Sequence, residues 1–137
     1  MTLDGFDLDE AAALVHRLTQ QLAVEVAAVV PVVAGRFQAP LLIGTGTSCS
    51  VGATPAQVFR PALWMGAAAV VLAHNHVTES GGPTPANAAV TRRLVAAGAV
   101  LGVPLVAHVV AERSRWFDCL ETIASPRRYP ATPQSLA

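Results

Sequence analysis

The chain has 137 residues, 53% of them hydrophobic and 13% charged, with nine basic and nine acidic side chains and a formal net charge of zero. This is the composition of one apolar globular domain with enough chain for a real core, and it excludes intrinsic disorder. No basic cluster is dense enough to track a phosphate backbone, so charge gives no sign of a nucleic-acid partner. The acidic start over residues 1–10 predicts no signal peptide, and no apolar run reaches the ~18 residues of a membrane span. A cytoplasmic location is expected. Cys49 and Cys119 lack C-x-x-C spacing and read as free buried thiols.

In chain order, residues 7–21 read as an amphipathic helix, with Asp7 and Glu10 spaced as a capping box. Its buried stripe would be Leu8, Ala11, Val15, Leu18 and Leu22. Residues 24–33 form a β-branched run that predicts a strand, and Pro31 within it predicts an edge position, a bulge or a strand end. A turn at Ala34-Gly35-Arg36 returns the chain as a second strand over residues 37–43, completing a hairpin. Gly44-Thr45-Gly46 does not complete a Gly-x-Gly-x-x-Gly pattern and reads as loop. Thr54-Pro55-Ala56-Gln57 combines an N-cap, a first-position proline and a capping-box glutamine, starting a helix that runs to Met65 and stops at Gly66. Trp64-Met65 reads as core, or as a patch for a homodimer. Residues 67–73 form a strand, and residues 85–101 a long helix burying Val90, Leu94, Ala97 and Leu101 before Gly102. Strands follow at 103–110 and around Trp116-Phe117. Residues 1–124 then make one domain, a helix over 7–21 followed by a core over 24–120. Residues 125–137, with Pro126, Pro130 and Pro133, make a flexible tail. The order predicts an α/β fold, a mixed β-sheet flanked by helices.

The stretch of greatest chemical interest is Val70-Val71-Leu72-Ala73-His74-Asn75-His76. Alternate side chains on a strand share a side, so His74 and His76 converge at its tip while Asn75 faces away. A polar, glycine-containing loop follows, then Thr84-Pro85 as N-cap and first helical residue, with Asn87 in the first turn. Two imidazoles and an oxygen donor on separate elements suit a metal site with an open coordination position. His108 alternates with Val106 and Val110 and reads as core or as a support for the site.

His74-x-His76, seven residues, Thr84, two residues and Asn87 resembles the JAMM (JAB/MPN) metalloprotease signature, which runs His-x-His, seven residues, Ser, two residues, Asp. Within that family the chain is most similar to the RadC group. The segments that carry the resemblance are Gly44-Thr45, Gln57-Val58-Phe59-Arg60-Pro61-Ala62-Leu63, Ala67-Ala68-Ala69, Thr91-Arg92-Arg93-Leu94 and Leu101-Gly102-Val103. The resemblance implies a JAB/MPN-like (cytidine-deaminase-like) three-layer α/β/α fold and a zinc-dependent hydrolase of protein or peptide substrates. His74 and His76 would bind zinc, with Asn87 at the position of the family's third ligand. Glu25 stands where the family has its catalytic glutamate, and Thr84 replaces the serine that stabilises the tetrahedral intermediate.

Such a site generates hydroxide near neutral pH, because zinc lowers the pKa of a bound water to ~7. A carboxylate then moves the proton, and a hydroxyl steadies the oxyanion. The departures from the pattern are Asn87 for Asp, Val77 for Pro, Thr78-Glu79 for Ser-Gly and Ala107 for Asp. A neutral amide at 87 predicts weaker zinc and keeps a second expectation open, a catalytically inactive binding or scaffold module. Glu79 is a candidate substitute ligand. A zinc nucleoside deaminase is excluded, because neither His-x-Glu nor Pro-Cys-x-x-Cys occurs.

Overall fold

The computed structural model describes residues 2–3, 6–19, 24–45, 53–76, 84–112 and 115–120. The expectations for the 125–137 tail, Glu79 and Cys49 lie outside them. A short antiparallel pair, β1 (Thr2–Leu3) and β2 (Phe6–Asp7), leads into α1 (Leu8–Thr19). Asp7 Oδ1 accepts from the Asp9 and Glu10 amides at 3.0 and 3.4 Å, capping the helix start.

The main sheet contains β3 (Val26–Val33), β4 (Arg36–Phe37), β5 (Leu41–Thr45), β6 (Ala69–Asn75), β7 (Leu105–Ala111) and β8 (Trp116–Asp118). Its order is β4-β3-β6-β7-β8, with β5 also on β3. Only β6 and β7 are parallel, which makes the sheet mixed. They are joined through α3 (Pro85–Leu101), and α2 (Pro55–Trp64) precedes β6. Both helices start where expected, each with a proline in the first turn and a reciprocal capping box, Thr54 with Gln57 as the sequence predicts and Thr84 with Asn87, which the structure adds. Gly66 and Gly102 follow their ends at φ of 68° and 73°, where a Cβ would be strained.

Two cores sit on opposite faces of the sheet. On one, Ala11 and Ala12 of α1 pack against Val30, Val32, Val71, Ala73 and Val109. On the other, α2 and α3 cover Val29, Val70, Leu72 and Leu105 with Phe59, Val90 and Leu94. The architecture is therefore three-layer α/β/α. Among the described residues no helix is long and apolar enough to cross a membrane.

Four expectations need correction. Pro31 is neither at an edge nor at a strand end, because β3 is interior and Pro31 pairs in register with Val70. Its carbonyl accepts from the Gln38 amide at 2.8 Å. In an antiparallel ladder a residue's N–H and C=O point the same way, so the missing donor faces the break between β4 and β5, away from the β6 ladder. The return strand over 37–43 is split at residues 38–40, where Pro40 has no N–H to offer. On α3 the buried face runs through Asn87, Val90, Thr91, Leu94 and Gly98, leaving Leu101 44% exposed. Trp64 is surface rather than core at 91% exposed, and with Leu63 and Leu101 it lines an apolar groove.

Gly98 marks the closest approach of α3 to the start of β7. A Cβ there would lie 2.6 Å from the Val103 carbonyl oxygen and 3.2 Å from the Leu105 amide nitrogen, both backbone atoms that cannot swing aside. Gly98→Ala is expected to lower stability by about 1–3 kcal/mol through overpacking, despite alanine's better helix propensity. A thermal melt that does not shift would show that α3 and β7 separate freely.

Candidate functional site

β6 and β7 run parallel, so their carboxyl ends lie together, and α3 begins over that edge. This end of a parallel pair is where open α/β sheets place ligands. His74 and His76 emerge there on one side, with Nε2 atoms 3.2 Å apart, and both are buried. Asn87, fully buried in the first turn of α3, brings its Nδ2 to 3.4 Å from His74 Nε2.

Asn75 points elsewhere, as the strand alternation predicts. Its Oδ1 accepts from the Val26 amide at 2.7 Å and its Nδ2 donates to the Val24 carbonyl at 3.2 Å. This clasp ties the backbone on both sides of Glu25 to the tip of β6. The register pairs Ala27 with His74, and Glu25 lies two residues before Ala27, immediately ahead of β3. Glu25 is half-buried. Asn75→Ala would orphan the Val26 N–H and loosen the clasp, with an expected loss of about 1–3 kcal/mol in chemical denaturation. An unchanged midpoint would show the clasp to be dispensable.

The imidazole protons can be assigned from the hydrogen-bond network. Burial, with smaller contributions from His108 and His76, holds the His74 pKa well below its ordinary value. Burial, aided by His76, pushes His108 down to about 3. Both rings are therefore neutral and carry one N–H each. Thr91 donates its hydroxyl to the Asn87 carbonyl at 2.6 Å, so its oxygen must accept from His108 Nδ1, also at 2.6 Å. His108 Nε2 is then an acceptor, and His74 Nδ1–H donates to it across 2.9 Å. That leaves the His74 Nε2 lone pair on the site side. On the other ring, His76 Nδ1–H donates to Glu112 Oε2 at 3.2 Å, which turns His76 Nε2 to the same point.

Two ring nitrogens meeting at 3.2 Å share a proton or a cation between them. Two nitrogens on one tetrahedral zinc, with Zn–N near 2.0–2.1 Å, would be about 3.3 Å apart. The arrangement fits a cation of that size and preference. Its third donor is less well suited. The capping box commits Asn87 Oδ1 to the Thr84 amide at 2.8 Å and turns the amide nitrogen toward His74. Among the described residues no trio of His, Cys, Asp or Glu converges on a metal position.

Thr84 is half-buried, and its Oγ1 accepts from the Asn87 backbone N–H at 3.2 Å. Ala107 packs in the α1-side core, so the substitution there lies away from the histidines. Cys119 is a buried free thiol, its pKa raised to about 12 by burial and by Asp118. Glu112 and Thr91 were not foreseen from sequence. Signals for both existed: Glu112 is the charge that ends an apolar strand parallel to β6, and Thr91 follows Thr84 and Asn87 on one helix face.

A family model described as RadC-like JAB domain matches residues 8–122. Among curated relatives, a UPF0758 protein of Trichormus variabilis is 31% identical over 112 residues, which is 79% of this chain and 46% of that protein. UPF0758 proteins of Moorella thermoacetica and Thermotoga maritima are 41% and 42% identical over 81 and 78 residues, covering 58% and 56% of this chain and 34% of each relative. The chain thus spans less than half the length of these curated relatives.

Proposed function

The chain belongs to the RadC-like JAB domain family, and from that premise we propose that it is a zinc-dependent hydrolase cleaving peptide or isopeptide bonds. The observation that supports this reading is the pair of buried imidazoles whose bonds to His108 and Glu112 turn both Nε2 atoms to one point. When bound there, zinc would supply a Lewis acid that polarises the scissile carbonyl and acidifies water. Glu25, held by the Asn75 clasp, accepts the proton of the attacking water and returns it to the leaving amine. The Thr84 cap uses only a lone pair of the hydroxyl, so its proton can be donated to the developing oxyanion. His108 and Thr91 keep His74 in one tautomer and one orientation.

One observation favours a second reading, a catalytically inactive protein-binding or scaffold module. It is the commitment of the single Asn87 oxygen to the helix cap. Zinc content and affinity of the purified protein separate the two. The hydrolase reading expects stoichiometric zinc that is lost in His74→Ala/His76→Ala. A wild type that stays empty at micromolar zinc while Asn87→Asp fills would leave the scaffold reading in place.

A further inference from the structure

Glu112 follows the last residue of β7, and the parallel register of Asn75 with Ala111 sets it beside His76. It is 2% exposed. Oε2 accepts from His76 Nδ1, and Oε1 lies 2.9 Å from Arg115 Nε, on a side chain that is 32% exposed. Taking a carboxylate out of water costs several kcal/mol even when it is paired. An Arg–Glu pair alone could form at the surface without that cost. The burial is explained if the carboxylate's task is at the imidazole.

We infer that Glu112 is a positioning residue that supplies, through His76, the negative charge that Asn87 withholds from the metal centre. This inference rests on the zinc reading above. A carboxylate on the far nitrogen of a ligating imidazole fixes the ring and makes the near nitrogen more basic. Here that device stands in for a charged third ligand, with the charge moved from one side of the centre to the back of its neighbour. Arg115, on the other carboxylate oxygen, offsets part of that charge. The two residues therefore act on the metal with opposite signs. If they merely formed an ion pair closing the end of the sheet, removing either would loosen the site alike.

The test is zinc affinity by chelator competition on the full chain, with circular dichroism to confirm folding. Glu112→Gln keeps an acceptor for His76 but removes the charge, and should weaken zinc by ~10–100-fold. Arg115→Gln should leave affinity unchanged or tighten it. In an Asn87→Asp background, where a carboxylate already faces the metal, the loss from Glu112→Gln should shrink to a few-fold. The inference is overturned by wild-type affinity in Glu112→Gln, or by equal weakening in Glu112→Gln and Arg115→Gln. Should Glu112→Gln fail to fold, Arg115→Gln decides alone: unchanged or tighter binding supports the inference, and weaker binding overturns it. A wild type that takes up no zinc removes the hydrolase reading and this inference together. A wild type that binds zinc indifferently to Glu112 removes this inference only.

Discussion

Asn87→Asp is expected to tighten zinc binding by at least ~100-fold, since outer-sphere partners alone change affinity by ~10–100-fold and a direct ligand exceeds them. The reason is a count of oxygens. The Asn87 amide has one, and the Thr84 N–H takes it at 2.8 Å. A carboxylate has two, so one can keep the cap while the other faces His74 in place of Nδ2. Position 87 is fully buried, and a carboxylate there without metal would be poorly solvated. The variant should therefore melt below wild type when metal-free and above it when zinc-loaded. Chelator competition and paired melts measure both, and an affinity indifferent to the carboxylate would remove residue 87 from the ligand set.

Glu25→Gln is expected to lower turnover of a peptide or isopeptide substrate by ~10²–10⁴-fold, the range of a lost general base, while zinc affinity stays at the wild-type level. The substitution is isosteric at a half-buried position, so the fold should persist. Single-turnover rates on a quenched-fluorescence peptide library, normalised to bound zinc, give the comparison. Full activity in the variant would assign the proton transfer elsewhere. Loss of zinc would make Glu25 part of the metal shell.

Local chemistry made much of this fold legible in the sequence. The Thr54-Gln57 capping box, the Thr84 N-cap, both glycine stops and the histidine pair depend on residues within a few positions of one another, and they stand where spacing put them. Pro31 failed as a local signal because its tolerance depends on a gap between two other strands. Leu101 failed because the burial stripe of α3 is set by Gly98 meeting the start of β7. At the site, the tip of β6 was readable, but the support behind it was not. Thr91 and Glu112 meet the histidines only after α3 has crossed over and β7 has lain beside β6. The role of Asn87 turned on which of its two amide atoms the helix cap uses, a matter of geometry rather than residue type.

The residues around the imidazoles run from Glu25 to Glu112, and no short segment contains the whole set. β3 must reach β6 across α2, and β7 must follow the crossover, before both Nε2 atoms are backed by their partners. Such long-range pairings form late. A bound ion would therefore reward only the finished fold, adding about 2.7 kcal/mol at a free concentration one hundred times its dissociation constant. Metal supply would then act on this protein as a quality check on completed chains, retaining those that have closed and leaving partly folded ones exposed to proteolysis.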